Sequence, residues 1–323
     1  MPTLRKGKCS VAVVMATHGR AQMLERALDA IAAQTRPPDQ IVVVDDDSTD
    51  STPQVLGARP GVTALRVSRR GPGRARQAAL VAVETDVVAF TDDDCIPTPL
   101  WLEKLVAPIE AGDADAVQGP TVMHPDQIDR LRDPWHRTQR VGQYNERFPT
   151  SNMAYRTDVL TELGGFAEQF TGPGCAGEDT DLGWRCLESG RRILFAPEAI
   201  VHHEVWPGSF RQALRDAGRR AMVVLVVKHH PAIRRLAYRR LFYKRSHARA
   251  LAAIGCLGAL TIVRRWLPLA GIAGVMLAYV VHTRGDGRSP AHRAMLIAQV
   301  LIVDTVEVAA FARASLRYRT FYL

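Results

Sequence analysis

Three consecutive carboxylates, Asp92-Asp93-Asp94, follow directly on Val87-Val88-Ala89-Phe90-Thr91. Acids packed this closely repel one another unless a cation sits among them, and oxygen ligands of this kind suit Mg²⁺ or Mn²⁺. The plain alternative is a solvated acidic turn. A second apolar run, Ile41–Val44, empties into Asp45-Asp46-Asp47, and a basic Gly-rich stretch, Gly71-Pro72-Gly73-Arg74 with Arg76 beyond it, lies between the two clusters. Carboxylates for a metal or a ribose, together with arginines for phosphate or base, make the footprint of a nucleotide site. A third group, Glu178-Asp179-Thr180-Asp181, follows the Gly-rich segment 172–177, and His202-His203 comes after it. Asp179 reads either as an acid favoured by a helix N-terminus or as a proton acceptor. Glu178 beside it would raise its pKa by like-charge repulsion.

These residues need a frame. Val11–Ala16, Ile41–Val44 and Val87–Phe90 are short continuous apolar runs of the kind that form strands buried on both faces, with a weaker third strand at Val62–Val67. Met23, Leu24, Ala27, Leu28 and Ile31 recur at helical spacing, as do Ala75, Ala78, Ala79 and Val83. Strand–helix–strand alternation at this length implies an α/β fold with a mostly parallel sheet, in which ligands bind beyond the carboxyl ends of the strands. Asp92 and Asp94, two residues apart on an extended strand end, should point the same way. Asp93 should face away. Thr17 ends the first strand, and Ser48 or Thr49 can cap a following helix. A helix carries Trp101, Leu102, Leu105 and Val106; residues 120–150 read as a loop-rich insertion. A helix through Leu182, Trp184, Arg185 and Leu187 stops at Gly190, and short strands are expected at Ile193–Phe195 and Ala199–Val201.

Charge divides the chain in two. Residues 1–205 hold 22 Lys and Arg against 29 Asp and Glu; residues 206–323 hold 20 against 4. A basic arm at Arg5, Lys6 and Lys8 precedes the first strand, and its apolar continuation is too short for a secretory signal. The five cysteines lack metal or redox spacing, which fits a reduced setting. In the tail, Phe210–Val227 reads as one amphipathic helix. Arg234–Arg249 is a basic run interleaved with Leu236, Tyr238, Leu241, Phe242 and Tyr243, a composition suited to anionic lipid headgroups. Leu251–Val263, Trp266–His282 and Ala294–Ala312 are apolar, yet each is short of about 20 uninterrupted apolar residues. They imply membrane association, peripheral or through one to three spanning or re-entrant helices. The soluble alternative would bury these faces against one another.

Five stretches in order, Val14–Arg20, Val43–Asp50, Ala75–Ala79, Phe90–Asp94 and Asn152–His203, make residues 9–205 resemble a membrane-associated, bacterial-type family 2 glycosyltransferase of the GT-A fold. Asn152-Met153-Ala154, Gly164-Gly165-Phe166 and Gly177-Glu178-Asp179-Thr180-Asp181-Leu182 are the most specific parts. Ala16, His18, Asp47 and Gln77 depart from the usual Pro, Tyr, Gly and Asn. The resemblance implies a GT-A catalytic domain over 1–205 and a helical, membrane-associated region over 206–323, at the cytoplasmic face of the membrane. It implies an inverting, metal-dependent hexosyl transfer from a nucleoside-diphosphate sugar (UDP ahead of GDP) to a hydroxyl of a lipid-linked, glycan or cell-envelope acceptor. Asp179 would be the base. Thr17, Asp45, Asp46, Arg76, Asp92 and Asp93 would hold the donor nucleotide, with Asp92 near the ribose and Arg76 on the base. Asp94 and His203, or His202 in its place, would hold Mg²⁺ or Mn²⁺, and Asn152, Glu178, Asp181 and Trp184 would lie on the acceptor side. The Gln-x-x-Arg-Trp signature of processive synthases is absent, which favours transfer of one sugar. A nucleotidyltransferase on the same sheet has no need of the Asn152–His203 stretch. A non-catalytic nucleotide- or nucleic-acid-binding protein fits poorly, because the tail's apolar runs do not suit RNA.

Overall fold

The computed structural model describes residues 8–132, 135–170, 175–262, 271, 272, 274, 275 and 289–323. Arg5 and Lys6 of the basic arm, Gly172–Gly174 of the Gly-rich segment and most of Trp266–His282 lie outside the described residues. The chain divides into two units, 1–131 with 136–207 and 132–135 with 208–323.

In the first unit, β-branched residues build three largely buried strands, joined by an exposed edge strand. β1 (Val11–Thr17), β2 (Gln40–Asp45), β3 (Thr63–Arg66) and β4 (Val87–Thr91) pair in parallel in the order β3-β2-β1-β4. The sheet continues through β8 (Asn152–Arg156), antiparallel to both neighbours, to β6 (Ala116–Gln118) and β9 (Ile193–Phe195). One antiparallel strand in seven fits the mostly parallel sheet expected. The flanking helices are α1 (Ala21–Ala32), α2 (Thr52–Gly57), α3 (Pro72–Leu80), α4 (Trp101–Glu110), α5 (Thr157–Glu162) and α6 (Glu178–Glu188). α1 buries Leu24, Ala27, Leu28 and Ile31 against a core that includes Val13, Met15, Val43 and Ala89. Ser48 and Thr49 do not cap α2. Asp50 does that work, accepting from the Thr52 amide at 3.1 Å.

A second, three-stranded sheet has the order β5-β10-β7: β5 (Cys95–Pro97), β10 (Val201–His203) and β7 (Thr121–Met123). β7 and a following 3-10 turn, Pro125–Arg132, fall where an irregular insertion is expected. They escape the sequence because three residues cannot display a period. β10 runs antiparallel to β5 with His203 opposite Cys95, and this register brings the late histidine beside the Asp triplet.

The second unit is helical. α7 (Phe210–Arg220) starts at Ser209, whose hydroxyl accepts from the Gln212 amide, and α8 (Val223–His229) follows after a break at Ala221-Met222. One helix is expected there and two are found. α9 (Arg245–Ile262) and α10 (Pro290–Tyr318) follow; Ser289 caps α10 and Pro290 takes its first turn, where no amide partner is needed. α10 is long and apolar enough to cross a membrane, yet its middle carries buried Asp304 and Glu307. Lys244 Nζ lies 3.1 Å from Asp304 and 2.5 Å from Glu307, His247 Nε2 lies 2.9 Å from Glu307, and Arg220 also pairs with Glu307. Burial alone would raise the Glu307 pKa; hydrogen bonds from His247 and Lys244 and the charges of Lys244 and Arg220 outweigh it and bring it down to about 2. Its ionised form therefore stabilises the folded state above the ordinary carboxyl pKa, and that contribution fades as pH falls towards 2. Glu307→Gln should cost about 3 kcal/mol in urea unfolding of the full chain at pH 7, because three cationic or donor groups lose their anion. The difference from the parent should narrow at pH 3.

Candidate active site

The carboxyl ends of β1, β2 and β4 meet at one edge of the large sheet. β4 ends at Thr91, and the next three residues turn, closed by the Cys95 amide on the Asp92 carbonyl at 3.1 Å. The period-two argument therefore fails: Asp92 and Asp94 diverge. Asp92 accepts from Arg76 Nη2 at 2.5 Å. Asp94 Oδ2 accepts from Trp206 Nε1 at 2.7 Å and from Arg20 Nη1 at 3.2 Å, while Oδ1 faces His203 Nε2 at 3.6 Å. Asp93 does not face away. It is 1% exposed and bonded to the Thr17 hydroxyl and to Arg20 Nη1, both at 2.7 Å. Burial, opposed by Arg20 and assisted by Asp94, pushes the Asp93 carboxyl up to about 6.

The β2 cluster is held by neighbouring amides and an arginine. Asp45 accepts from the Ser48 amide at 2.8 Å and from Arg66 at 3.1 Å. Asp46 accepts from the amides of Arg70 and Gly71 at 2.8 and 2.9 Å, which fastens the Gly-rich turn to the strand end. Asp47 has φ +66°, a left-handed conformation that explains the glycine usual at this place and that Asp tolerates better than most residues. Arg76, expected on the nucleotide base, is buried between two acids, Asp92 and, at 3.3 Å, Glu178. It bonds both carboxylates. Gly73 makes this contact feasible, since a Cβ there would lie 2.9 Å from Glu178 Cγ.

Gly177, at φ +104°, turns the chain into α6 and sets Glu178 and Asp179 at its N-terminus. Burial raises the pKa of Asp179, opposed by the Thr180 amide and by Arg76; Asp92 adds to the rise. Glu178 is pushed up to about 7, by burial first and by Asp179 second. The two adjacent carboxyls are both raised, as like charges side by side require. Asp181 is buried against Arg185 Nε at 2.8 Å, a structural role. Asn152 and Trp184, expected on the acceptor side, are interior. Asn152 bonds Trp101 Nε1 and the carbonyls of Pro120 and Ala199 at 2.7–2.8 Å, leaving none of its amide hydrogens for a ligand. Trp184 Nε1 donates to the Glu146 carbonyl at 2.8 Å.

Asp94 and His203 fit a hard divalent cation. His203 Nδ1 lies 2.7 Å from the Glu204 carbonyl, so it carries the proton and leaves the Nε2 lone pair towards Asp94 Oδ1. Cys95 completes a buried trio, but burial holds its thiol protonated, which leaves oxygen and nitrogen donors. His202 points elsewhere, its ring packed on His124 at 5.7 Å. His203 is therefore the histidine beside Asp94.

Residues 12–167 match the family described as Glycosyl transferase family 2. Apart from 132–135, the match lies within the first unit. Among curated proteins the chain is similar to the pre-mycofactocin glycosyltransferase of Mycobacterium tuberculosis, 29% identical over 64% of this chain and 44% of that one. It is also similar to glycosyltransferase AglE of Haloferax volcanii, 26% identical over 61% and 67%. The chain thus spans under half of the first of these relatives. Among solved structures, the mannosyltransferase PcManGT of Pyrobaculum calidifontis, in complex with GDP-Man and Mn²⁺, superposes with a TM-score of 0.55 at 20% identity, covering 97% of this chain and 88% of that one. Glucosyl-3-phosphoglycerate synthase of M. tuberculosis, in complex with Mn²⁺, UDP-Glc and phosphoglyceric acid, gives 0.51 at 21% identity over 68% and 79%. These likenesses place the first unit in the GT-A fold.

Two participants are missed by sequence reasoning. Arg20 bridges Asp93 and Asp94 with its guanidinium 4.6 Å from the Trp206 ring centroid, and Trp206 itself holds Asp94. Arg20 follows the first strand end in a position that signals only a helix start, and nothing marks a tryptophan three residues past a histidine. The Glu178 shift yields a test. A carboxyl with a raised folded pKa favours the folded state at low pH and loses that advantage as pH rises from about 4.5 to about 7. Glu178→Gln should thus match the parent's stability near pH 4.5 and exceed it by about 1–3 kcal/mol at pH 8 in urea unfolding.

Proposed function

We propose that the chain transfers a single glycosyl group from a nucleoside-diphosphate sugar to an acceptor hydroxyl, with inversion. The observation that carries this reading is Asp179: a partly buried carboxylate of raised pKa at a helix N-terminus, close enough to Asp92 to feel its charge. In this step the acceptor oxygen bonds to the anomeric carbon as the bond from that carbon to the diphosphate oxygen breaks. The hydroxyl proton passes to Asp179 on the face opposite the leaving group. Asp94 and His203 would hold Mg²⁺ or Mn²⁺, whose charge would offset that of the diphosphate. Arg20 and Trp206 fix the Asp94 carboxylate, and Arg76 holds Asp92 and Glu178 in register. UDP remains the favoured donor base, although the two solved relatives carry GDP-Man and UDP-Glc.

The acceptor in this reading is lipid-linked or part of the cell envelope, presented at the cytoplasmic face of the membrane. Support comes from the second unit. Among its described residues, Leu251, Ile254, Met295, Ile302 and Val306 are exposed apolar side chains. The ion cluster at Glu307 ties α10 into the unit, which favours a helix lying at the interface over one spanning lipid alone.

Asp179→Asn should lower transfer by at least about a hundredfold in a radiolabelled-sugar assay with its melting temperature kept, and full activity would remove Asp179 as base. Chelation should abolish transfer by the parent, with Mn²⁺ restoring it. His203→Ala should raise the Mn²⁺ concentration for half-maximal activity by about tenfold or more.

A further inference from the structure

The second unit holds a cavity lined by none of the residues assigned above to the transfer. Tyr238 and Phe242 exchange backbone hydrogen bonds, 2.9 Å from the Tyr238 amide and 3.0 Å from the Phe242 amide, and so close the loop Arg239-Arg240-Leu241. Two consecutive arginines in that loop are left-handed, Arg239 at φ +52° and Arg240 at φ +60°. Side chains at such angles are disfavoured, and residues held there concentrate at ligand-binding places. Beside the loop, the first turns of α9 add Arg245 and Arg249. Together with Tyr238, Arg239, Phe242 and Leu251 they line an open cavity of about 730 Å³. The guanidinium carbons of Arg239 and Arg245 lie 5.6 and 5.7 Å from the Tyr238 ring centroid, which preorganises both.

Among the described residues no carboxylate pairs with Arg239, Arg245 or Arg249, whereas the deeper cations Lys244 and Arg220 are satisfied by Asp304 and Glu307. Three convergent arginines without counter-ions want a multiply charged oxyanion. The wall formed by Phe242 and Leu251 leads on to exposed Ile254, and so offers an apolar path away from it. A free oxyanion would have no use for that path.

The geometry points to this cavity as a binding site for the phosphate-bearing head of an anionic amphiphile, with the arginines on the phosphate and the chain along Phe242 and Leu251. The proposal names the contact by which the membrane association read above would be made, and rests on it only for the ligand's setting.

The test uses the full chain and dihexanoyl phosphatidic acid below its critical micelle concentration, titrated calorimetrically. The parent should bind it, and the triple variant Arg239→Gln, Arg245→Gln, Arg249→Gln should bind at least about tenfold more weakly. Arg211→Gln, Arg215→Gln, Arg219→Gln removes equal charge from α7 and should change affinity by less than about threefold. Leu251→Ser should weaken phosphatidic acid and leave inorganic phosphate unaffected. Equal losses in the two triples, equal affinity for inorganic phosphate and phosphatidic acid, or tighter binding of single-stranded RNA by the same arginines would each overturn the assignment. If the triple does not fold, Arg245→Gln alone, at an exposed position, carries the same comparison. Flotation with phosphatidylcholine vesicles containing phosphatidylglycerol separates the two readings. A parent that binds phosphatidic acid but no vesicles keeps the cavity and loses the membrane. Vesicle binding with no phosphatidic acid binding does the reverse.

Discussion

Asp92, Asp93, Asp94, Asp45, Asp46 and Glu178 crowd one sheet edge, and the rest of the first unit answers to their mutual repulsion. Buried anions of this density unfold a domain unless each meets a cation or a set of amide donors. Three arginines and a few backbone amides meet the demand, Arg66 serving Asp45. Arg20 reaches across Asp93 and Asp94, Arg76 joins Asp92 to Glu178, and the amides of Arg70 and Gly71 take Asp46. Each carboxylate with a settled partner is thereby fixed in direction. Asp94 Oδ1 and His203 Nε2 are left facing each other, and Asp179 is left at a helix start with only its own turn and Arg76 to lower its pKa.

Topology explains why the acids share an edge at all. The order β3-β2-β1-β4 makes β1 the point where the chain's winding reverses, and crevices form beyond strand ends at such a point. Thr17 and Asp45 end β1 and β2 there, and Asp92 follows directly on β4. The second sheet adds what the first cannot. Because β10 lies antiparallel to β5, a histidine more than a hundred residues after Asp94 arrives beside it through strand register alone.

The parallel core was legible because four apolar runs and their intervening helices carry clear periods. So were the acids, since strand ends in such a fold are where ligands go. What could not be read was direction. Alternation along a strand governs Asp92 and Asp94 only while the strand lasts, and it stops at Thr91. The same gap misplaced Asn152, which matches a family position yet serves inside the protein as a three-way hydrogen-bond junction. Arg76 is expected on the nucleotide base because the resemblance places it there. Its burial between two acids depends on Gly73 and on a helix a hundred residues away. The split of α7 from α8 has no such account: the residues at the break, Ala221 and Met222, are good helix formers.

The tail poses the opposite electrostatic problem, and its solution sorts cations by depth. Asp304 and Glu307 are among the few acids of a strongly basic region, and both are drawn inside, where Lys244, Arg220 and His247 surround them. An isolated carboxylate on a long apolar helix would be costly either in lipid or in a protein core. Clustered with three partners, the pair instead fixes how α7, α9 and α10 register on one another. Every anion used internally is one fewer available to neutralise the surface, so the arginines nearer the outside keep their charge for something else. A region whose described acids, Asp216, Asp304 and Glu307, are turned inward presents an electropositive skin. Its exposed side chains between those arginines are leucine, isoleucine and aromatic rather than serine or asparagine, and such a skin matches a boundary between anionic headgroups and hydrocarbon better than it matches a nucleic-acid backbone in water.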